Sequence, residues 1–227
     1  MASALARLPT PSALLFDLDG TLVDTVKLRI DAWERTFIEV GLTASRERLA
    51  PLIGLDGRRL AREIAALNGD LIDDERAEAI DHRCGEVYEQ LNTMPRPLPG
   101  VAALVAALEE RDIQWAIATS SRAAQVATSI DALGLAHEPV IVDASHVKHA
   151  KPEPDLLLYA ASQLRVNPAA CWYIGDSTWD MVSAVAAGMV AIGVTIGSAV
   201  EASVLAGAGA AAVVGTLDDL ANAIRHH

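Results

Sequence analysis

Asp17 and Asp19 stand one residue apart at the end of a short apolar run, Ala13-Leu14-Leu15-Phe16, and are followed by Gly20 and Thr21. In an extended chain, residues i and i+2 point to the same side. The two carboxylates therefore meet at the carboxyl end of a buried strand. Two like charges that close repel unless a cation separates them or one keeps a proton. A hard divalent ion with oxygen ligands, Mg2+, meets that need. Asp and Gly are also ordinary turn residues, so an Asx turn closing a strand fits the same letters. Three further places decide between the two. Thr119, Ser120 and Ser121 follow an apolar run over 114–118, Lys151 precedes Pro152, and Asp176 and Asp180 follow an apolar run over 171–174. An acid pair, a hydroxyl, an ammonium and a second acid pair make a phosphoryl-transfer set. A carboxylate can take the phosphoryl group, and a metal offsets the charge that would repel its attack. Lys151 and the Thr119 hydroxyl would stabilise the equatorial oxygens.

Such a set works only if the strand ends share one rim. From residue 101 onward helical and strand patterns alternate: helices over 101–111, 122–133, 154–164, 179–187 and 217–224, strands over 114–118, 140–142, 171–174, 189–194 and 211–214. That alternation predicts an α/β fold with a Rossmann-like, doubly wound parallel sheet, joined by right-handed crossovers. The strand over 13–16 belongs to the same sheet. Residues 25–92 hold no strand pattern; helices are expected over 27–40, within 46–53, and over 58–67 and 73–92. The run Pro95 to Gly100 reads as a linker. The expected organisation is a core of residues 1–25 and 93–227 with an all-helical cap, 26–92, inserted after the first strand, above the strand ends. The glycine-rich run 207–212 precedes a strand, the wrong context for a dinucleotide fingerprint.

Of 227 residues, 52% are apolar, enough for a sizeable core, and the formal charge is −12. With no basic stripe, nucleic acid is not an expected partner. Cys84 and Cys171 show no metal or redox spacing and read as free thiols of a reducing, cytoplasmic protein. The first ten residues hold Arg7 and Pro9 but no long apolar stretch, which reads against a secretory leader. The apolar region 184–200 is broken by Gly188, Gly193 and Gly197, so a helix followed by a strand is expected there rather than a membrane span.

The chain resembles the haloacid dehalogenase superfamily, in its branch of phosphatases with a helical C1 cap. The matching motifs are Asp17-Leu18-Asp19-Gly20-Thr21, Thr119 at a strand end, Lys151-Pro152-Glu153-Pro154-Asp155, and Gly175-Asp176-Ser177-Thr178-Trp179-Asp180. The resemblance implies Asp17 as nucleophile and Asp19 as the group that protonates the leaving oxygen and then activates water. It implies Thr119, Ser120 (through its backbone N–H) and Lys151 as phosphate ligands. Mg2+ would be held by Asp17, the backbone oxygen of Asp19 and Asp176, with Asp180 in support. The implied reaction is hydrolysis of a small soluble phosphate monoester, phosphoglycolate- or sugar-phosphate-like, by a monomer or homodimer.

Each residue has a plainer role open to it. Thr119 or Ser120 suits a helix cap, Asp180 the first turn of a helix, and Asp24 a cap or hinge. His146 and His149 read as surface loop, Trp172 and Trp179 as packing. The cap is expected to close over the rim and exclude water. Lys27, Arg29 and Trp33 on its first helix are candidates to meet the substrate, as is the loop from Gly54 to Arg59. Arg29 or Arg58 would pair with a second anion on it, although solvated arginines fit equally. Gly54 and Gly57 would let that loop approach a ligand. Related β-phosphoglucomutases carry His where Arg29 stands, which argues against the mutase alternative. Dehalogenases lack the second Asp, and phosphonatases use a cap lysine, for which only Lys27 offers itself. A catalytically silent binding protein is the remaining alternative.

Overall fold

The computed structural model describes residues 2–227. Six strands, β1 (Ala13–Phe16), β2 (Gln114–Ala118), β3 (Val140–Val142), β4 (Cys171–Gly175), β5 (Val190–Val194) and β6 (Ala212–Val214), form one sheet in the order β3-β2-β1-β4-β5-β6. Every pairing is parallel. The register sets Phe16 beside both Ile117 and Ile174, so three strand ends lie level. The order reverses at β1, and ligands of open α/β sheets bind at the carboxyl ends beside such a switch point.

The helices are α1 (Ala2–Leu5), α2 (Val26–Glu39), α3 (Arg46–Leu49), α4 (Gly57–Leu67), α5 (Asp74–Leu91), α6 (Val101–Glu110), α7 (Ala123–Ala132), α8 (Asp155–Leu164), α9 (Thr178–Ala186), α10 (Ala202–Gly207) and α11 (Leu217–His226). Alternate strand residues face opposite sides. Leu14, Phe16, Ile117 and Trp172 pack under α6 and α11, whereas Leu15, Ala116, Ala118 and Tyr173 pack under α8 and α9. A third apolar cluster, built on Trp33, Phe37, Leu60, Ile64 and Val87, belongs to α2, α4 and α5. Helix starts follow from local chemistry. Asp56 accepts from the N–H groups of Arg58 and Arg59, and Asp73 from that of Arg76, satisfying donors that a first turn leaves orphaned.

The expected helix within 46–53 is two pieces, α3 and a 3-10 turn over Ala50–Leu52. Pro51 has no N–H to continue an α-helix. Two further short helices, α1 and α10, escaped the sequence pattern. Gly207 closes α10, and Gly209 turns at φ +110° toward β6. Asp24 caps nothing, since the residue before α2 is Thr25. The Asp24 N–H instead donates to the Arg96 carbonyl, Leu98 donates to Leu22, and Val23 pairs antiparallel with Pro97. The two linkers into the helical segment thus run side by side. Among the described residues no helix is long and apolar enough to cross a membrane.

Candidate active site

Asp17 follows β1 and Asp176 follows β4, so both stand at the switch point. Gly20 makes their approach feasible. Its φ is +78°, and a Cβ there would come within 2.3 Å of Asp176 Oδ2. Thr21 Oγ1 donates to Asp176 Oδ1 (3.1 Å).

Lys151 is wholly buried, and its ammonium has three partners. Nζ donates to Asp17 Oδ1 (2.6 Å), Asp180 Oδ1 (2.7 Å) and the Tyr173 hydroxyl (3.0 Å). That satisfies all three of its donors, as a buried charge requires. Asp180 is itself fixed by a capping box at the start of α9, where Oδ2 accepts from the Ser177 N–H and hydroxyl and the Asp180 N–H returns to Ser177 Oγ. Its first-turn position therefore serves the helix and Lys151 together. The other oxygen of Asp17 accepts no hydrogen bond among the described residues. Burial, opposed by Lys151 and reinforced by Asp180, raises the Asp17 carboxyl to about 7. Burial and the neighbouring acids Asp180 and Asp17 push Asp176 well above the usual carboxylate range.

Asp19 is held differently. Oδ1 accepts from Thr25 Oγ1 (2.6 Å) and the Tyr88 hydroxyl (3.0 Å). Oδ2 accepts from Arg29 Nε (3.1 Å), Arg29 Nη2 (2.7 Å) and Ser121 Oγ (3.0 Å). Burial works against its ionised form, but the Arg29 charge and these hydrogen bonds prevail, and the carboxyl sits below its ordinary value. Arg29 also donates to Ser121 Oγ and Gln125 Oε1 and stacks 3.4 Å over the Tyr88 ring.

One oxygen each of Asp17, Asp176 and Asp180 lies within 4.8 Å of the others. Three buried carboxylates with one ammonium between them lack compensating charge, and their hard oxygen donors fit a divalent cation such as Mg2+.

Thr119 and Ser120 line the same cleft. Neither caps a helix, because α7 starts after Arg122. Thr119 Oγ1 accepts from the Ser121 N–H, and Ser120 Oγ is a buried oxygen without a partner. Arg29 and Trp33 line the cleft as well, but Arg29 is committed to Asp19 rather than free for a second anion. Arg58 lies elsewhere, paired with Asp56 (2.8 Å) on the rim of a separate cleft with Arg59 and Arg62. Lys27 is exposed and pairs with Asp31, so no cap lysine enters the cleft. Gly54 and Gly57 line the cleft and allow close approach to protein as well. A Cβ on them would meet Ser177 Oγ at 2.5 Å and Asp81 Oδ1 at 1.8 Å. Trp172 and Trp179 donate to the carbonyls of Pro9 and Pro51 and serve packing.

Tyr88, Thr25, Tyr173, Asp81 and Gln125 escaped the sequence reading. Only Tyr173 carried a signal: a phenol inside a buried strand needs a polar partner.

The family profile described as haloacid dehalogenase-like hydrolase matches residues 14–194. A probable phosphatase from Dickeya dadantii, IndB, is 33% identical over 81% of this chain and 81% of its own length. The β-phosphoglucomutase of Bacillus subtilis is 30% identical over 80% of this chain and 82% of its own. The crystal structure of a hydrolase from Pseudomonas syringae superposes with a TM-score of 0.87 at 31% identity, covering 92% of this chain and 96% of that one.

Proposed function

The chain belongs to the haloacid dehalogenase-like hydrolases and is a phosphoric monoester hydrolase; we propose that it is a Mg2+-dependent phosphatase of small soluble monoesters, working through a phosphoaspartyl intermediate on Asp17. The observation that carries this reading is the setting of Asp17, which has one oxygen bound to a wholly buried ammonium and one within 4.8 Å of oxygens of Asp176 and Asp180.

An Asp17 oxygen attacks the phosphorus, and the bond from phosphorus to the substrate oxygen breaks. Asp19 gives that oxygen a proton. A water then attacks the phosphorus as Asp19 takes its proton, and the bond to Asp17 breaks, releasing phosphate. The attack by Asp17 is assisted by groups that need no rearrangement as charge develops. Lys151 neutralises charge beside the reacting carboxylate and is itself oriented by Asp180. Thr119 and the Ser120 backbone N–H would hold the phosphoryl oxygens. Asp17, Asp176 and the Asp19 carbonyl would hold Mg2+, which supplies positive charge where nucleophile and phosphate would otherwise repel. To act as an acid Asp19 must leave Arg29 and Tyr88, which ties that step to movement of α2 and α5. Two buried free thiols, Cys84 and Cys171, support a reducing, cytoplasmic setting.

The similarity to a β-phosphoglucomutase favours one second reading, a phosphosugar mutase. Phosphate release from a monoester panel separates the two. The phosphatase releases phosphate with Mg2+, stops with a chelator and recovers when Mg2+ is restored. Isomerised sugar phosphate with little free phosphate would establish the mutase. Turnover indifferent to chelation would remove Mg2+ from the account.

A further inference from the structure

Residues 53–57 lead from the Ala50–Leu52 turn into α4, and Ile53, Gly54, Leu55 and Gly57 all line the cleft. This stretch is part of the helical segment, yet the sheet layer holds it at three places. The Trp179 indole Nε1–H donates to the Pro51 carbonyl (2.9 Å). The Asp56 N–H donates to the Lys151 carbonyl (2.9 Å). Gly54, at φ +92°, lies so near the cap of α9 that a Cβ on it would stand 2.5 Å from Ser177 Oγ. Trp179 does more than donate. The apolar cluster of α2, α4 and α5 takes in two side chains from outside the helical segment among the described residues, Trp179 and Ala199, and only Trp179 is large. Its ring therefore meets the helical segment with an apolar body and a polar tip at once.

Trp179 and Asp180 are neighbours in the first turn of α9, where successive side chains point about 100° apart. Asp180 turns inward to Lys151, and Trp179 turns to the helical segment. One helical turn thus serves the reacting centre and the wall of the cleft above it. We propose that Trp179 is a positioning residue, which seats residues 53–57 over the cleft and so sets how tightly the leaving group is held. The phosphoryl group, held by Thr119, Ser120 and Lys151 from the sheet layer, does not depend on that seat. A wall in place for only a fraction of the time lowers the affinity for whatever it touches by that fraction. A packing role alone would cost stability and leave the affinity of the folded enzyme unchanged. The kinetic consequence rests on the phosphatase reading; the docking does not.

Trp179→Phe keeps the apolar body and removes the donor, whereas Trp179→Ala removes both. With Mg2+ present, KM for p-nitrophenyl phosphate, or for the best-hydrolysed monoester of a panel, should rise about fivefold in Trp179→Phe, the scale of one net hydrogen bond. In Trp179→Ala it should rise about thirtyfold or more, the scale of a truncated tryptophan anchor, so that Phe rescues part of the loss. In Trp179→Phe kcat should change less than KM, and the inhibition constant of inorganic phosphate should stay at the wild-type value. In hydrogen–deuterium exchange of the substrate-free protein, the peptide holding the Asp56 amide should exchange about fivefold faster in Trp179→Phe, and the peptide holding β4 should not change. An unchanged KM in both variants overturns the inference, as does phosphate inhibition weakening in step with KM, which would mark damage to the turn that holds Lys151. Should Trp179→Ala not fold, Trp179→Phe decides. Hydrolysis of no monoester by the wild type defeats the phosphatase reading, and the exchange of the Asp56 peptide then decides the docking by itself, wild-type exchange in Trp179→Phe overturning it.

Discussion

Asp17 and Asp19 are separated by a single residue in the chain but are held by different parts of the molecule. Among the described residues, the one hydrogen-bond donor to the Asp17 carboxylate comes from the sheet layer: Lys151 before α8, itself fixed by Asp180 on α9 and Tyr173 on β4. The Asp19 carboxylate is held chiefly from the helical segment, by Arg29 on α2 and Tyr88 on α5, with Thr25 at the hinge and Ser121 alone from the sheet side. The first arrangement meets the helical segment, among the described residues, only through the Lys151 backbone, whose carbonyl accepts from the Asp56 N–H (2.9 Å). The second dissolves if that segment moves. A residue that only attacks needs a fixed position, whereas one that must give and take protons needs a partner able to let go. On the proposed mechanism, the contrast would give geometry to the sheet and timing to the helical segment.

The comparison can be broken at several points. Replacing the proposed nucleophile, Asp17→Asn, should cut phosphate release at least about a thousandfold, with the circular dichroism spectrum retained. Removing the fixed cation, Lys151→Met, leaves Asp17 and Asp180 buried without it. Turnover should fall about a hundredfold or more, and urea unfolding should show a loss of about 3–5 kcal/mol. A stable, active Lys151→Met would show that the sheet does not fix Asp17 in the way described. On the other side of the comparison, Arg29→Met strips Asp19 of its charge partner but leaves the Thr25, Tyr88 and Ser121 hydroxyls. A loss of about 2–3 kcal/mol in the same unfolding experiment is expected. Phosphorylation of Asp17 should survive in that variant, and its loss would show that the two carboxylates are not separately held. The smallest change, Tyr88→Phe, deletes one of five hydrogen bonds to Asp19 and should cost about 1 kcal/mol.

How much of this was legible in the sequence follows the same division. The sheet side was readable because apolar runs ending in Asp17, Thr119 and Asp176 mark strand ends, and a parallel sheet brings strand ends to one rim. Lys151 was readable through its motif. The cap side was not, because contacts such as Asp19 with Tyr88 depend on how helices are rotated against the sheet, which periodicity leaves open. Arg29 carried an unused signal. It lies one turn before Trp33, on the face that also holds Ile30, so it is buried. A buried arginine calls for a carboxylate partner within the protein before it calls for a substrate anion. Arg58 carries the opposite lesson: its nearest acid is the cap residue Asp56, two positions back, and local pairing claimed it.

The central claim is that Asp17 carries the phosphoryl group, and acid-quenching the enzyme during turnover of a hydrolysed monoester tests it most directly. Peptide mass spectrometry of the quenched wild type should find one phosphoryl group on the peptide containing Asp17, absent from Asp17→Asn. Phosphate release at the wild-type rate by Asp17→Asn, or a phosphoryl group found on any other residue, would contradict it.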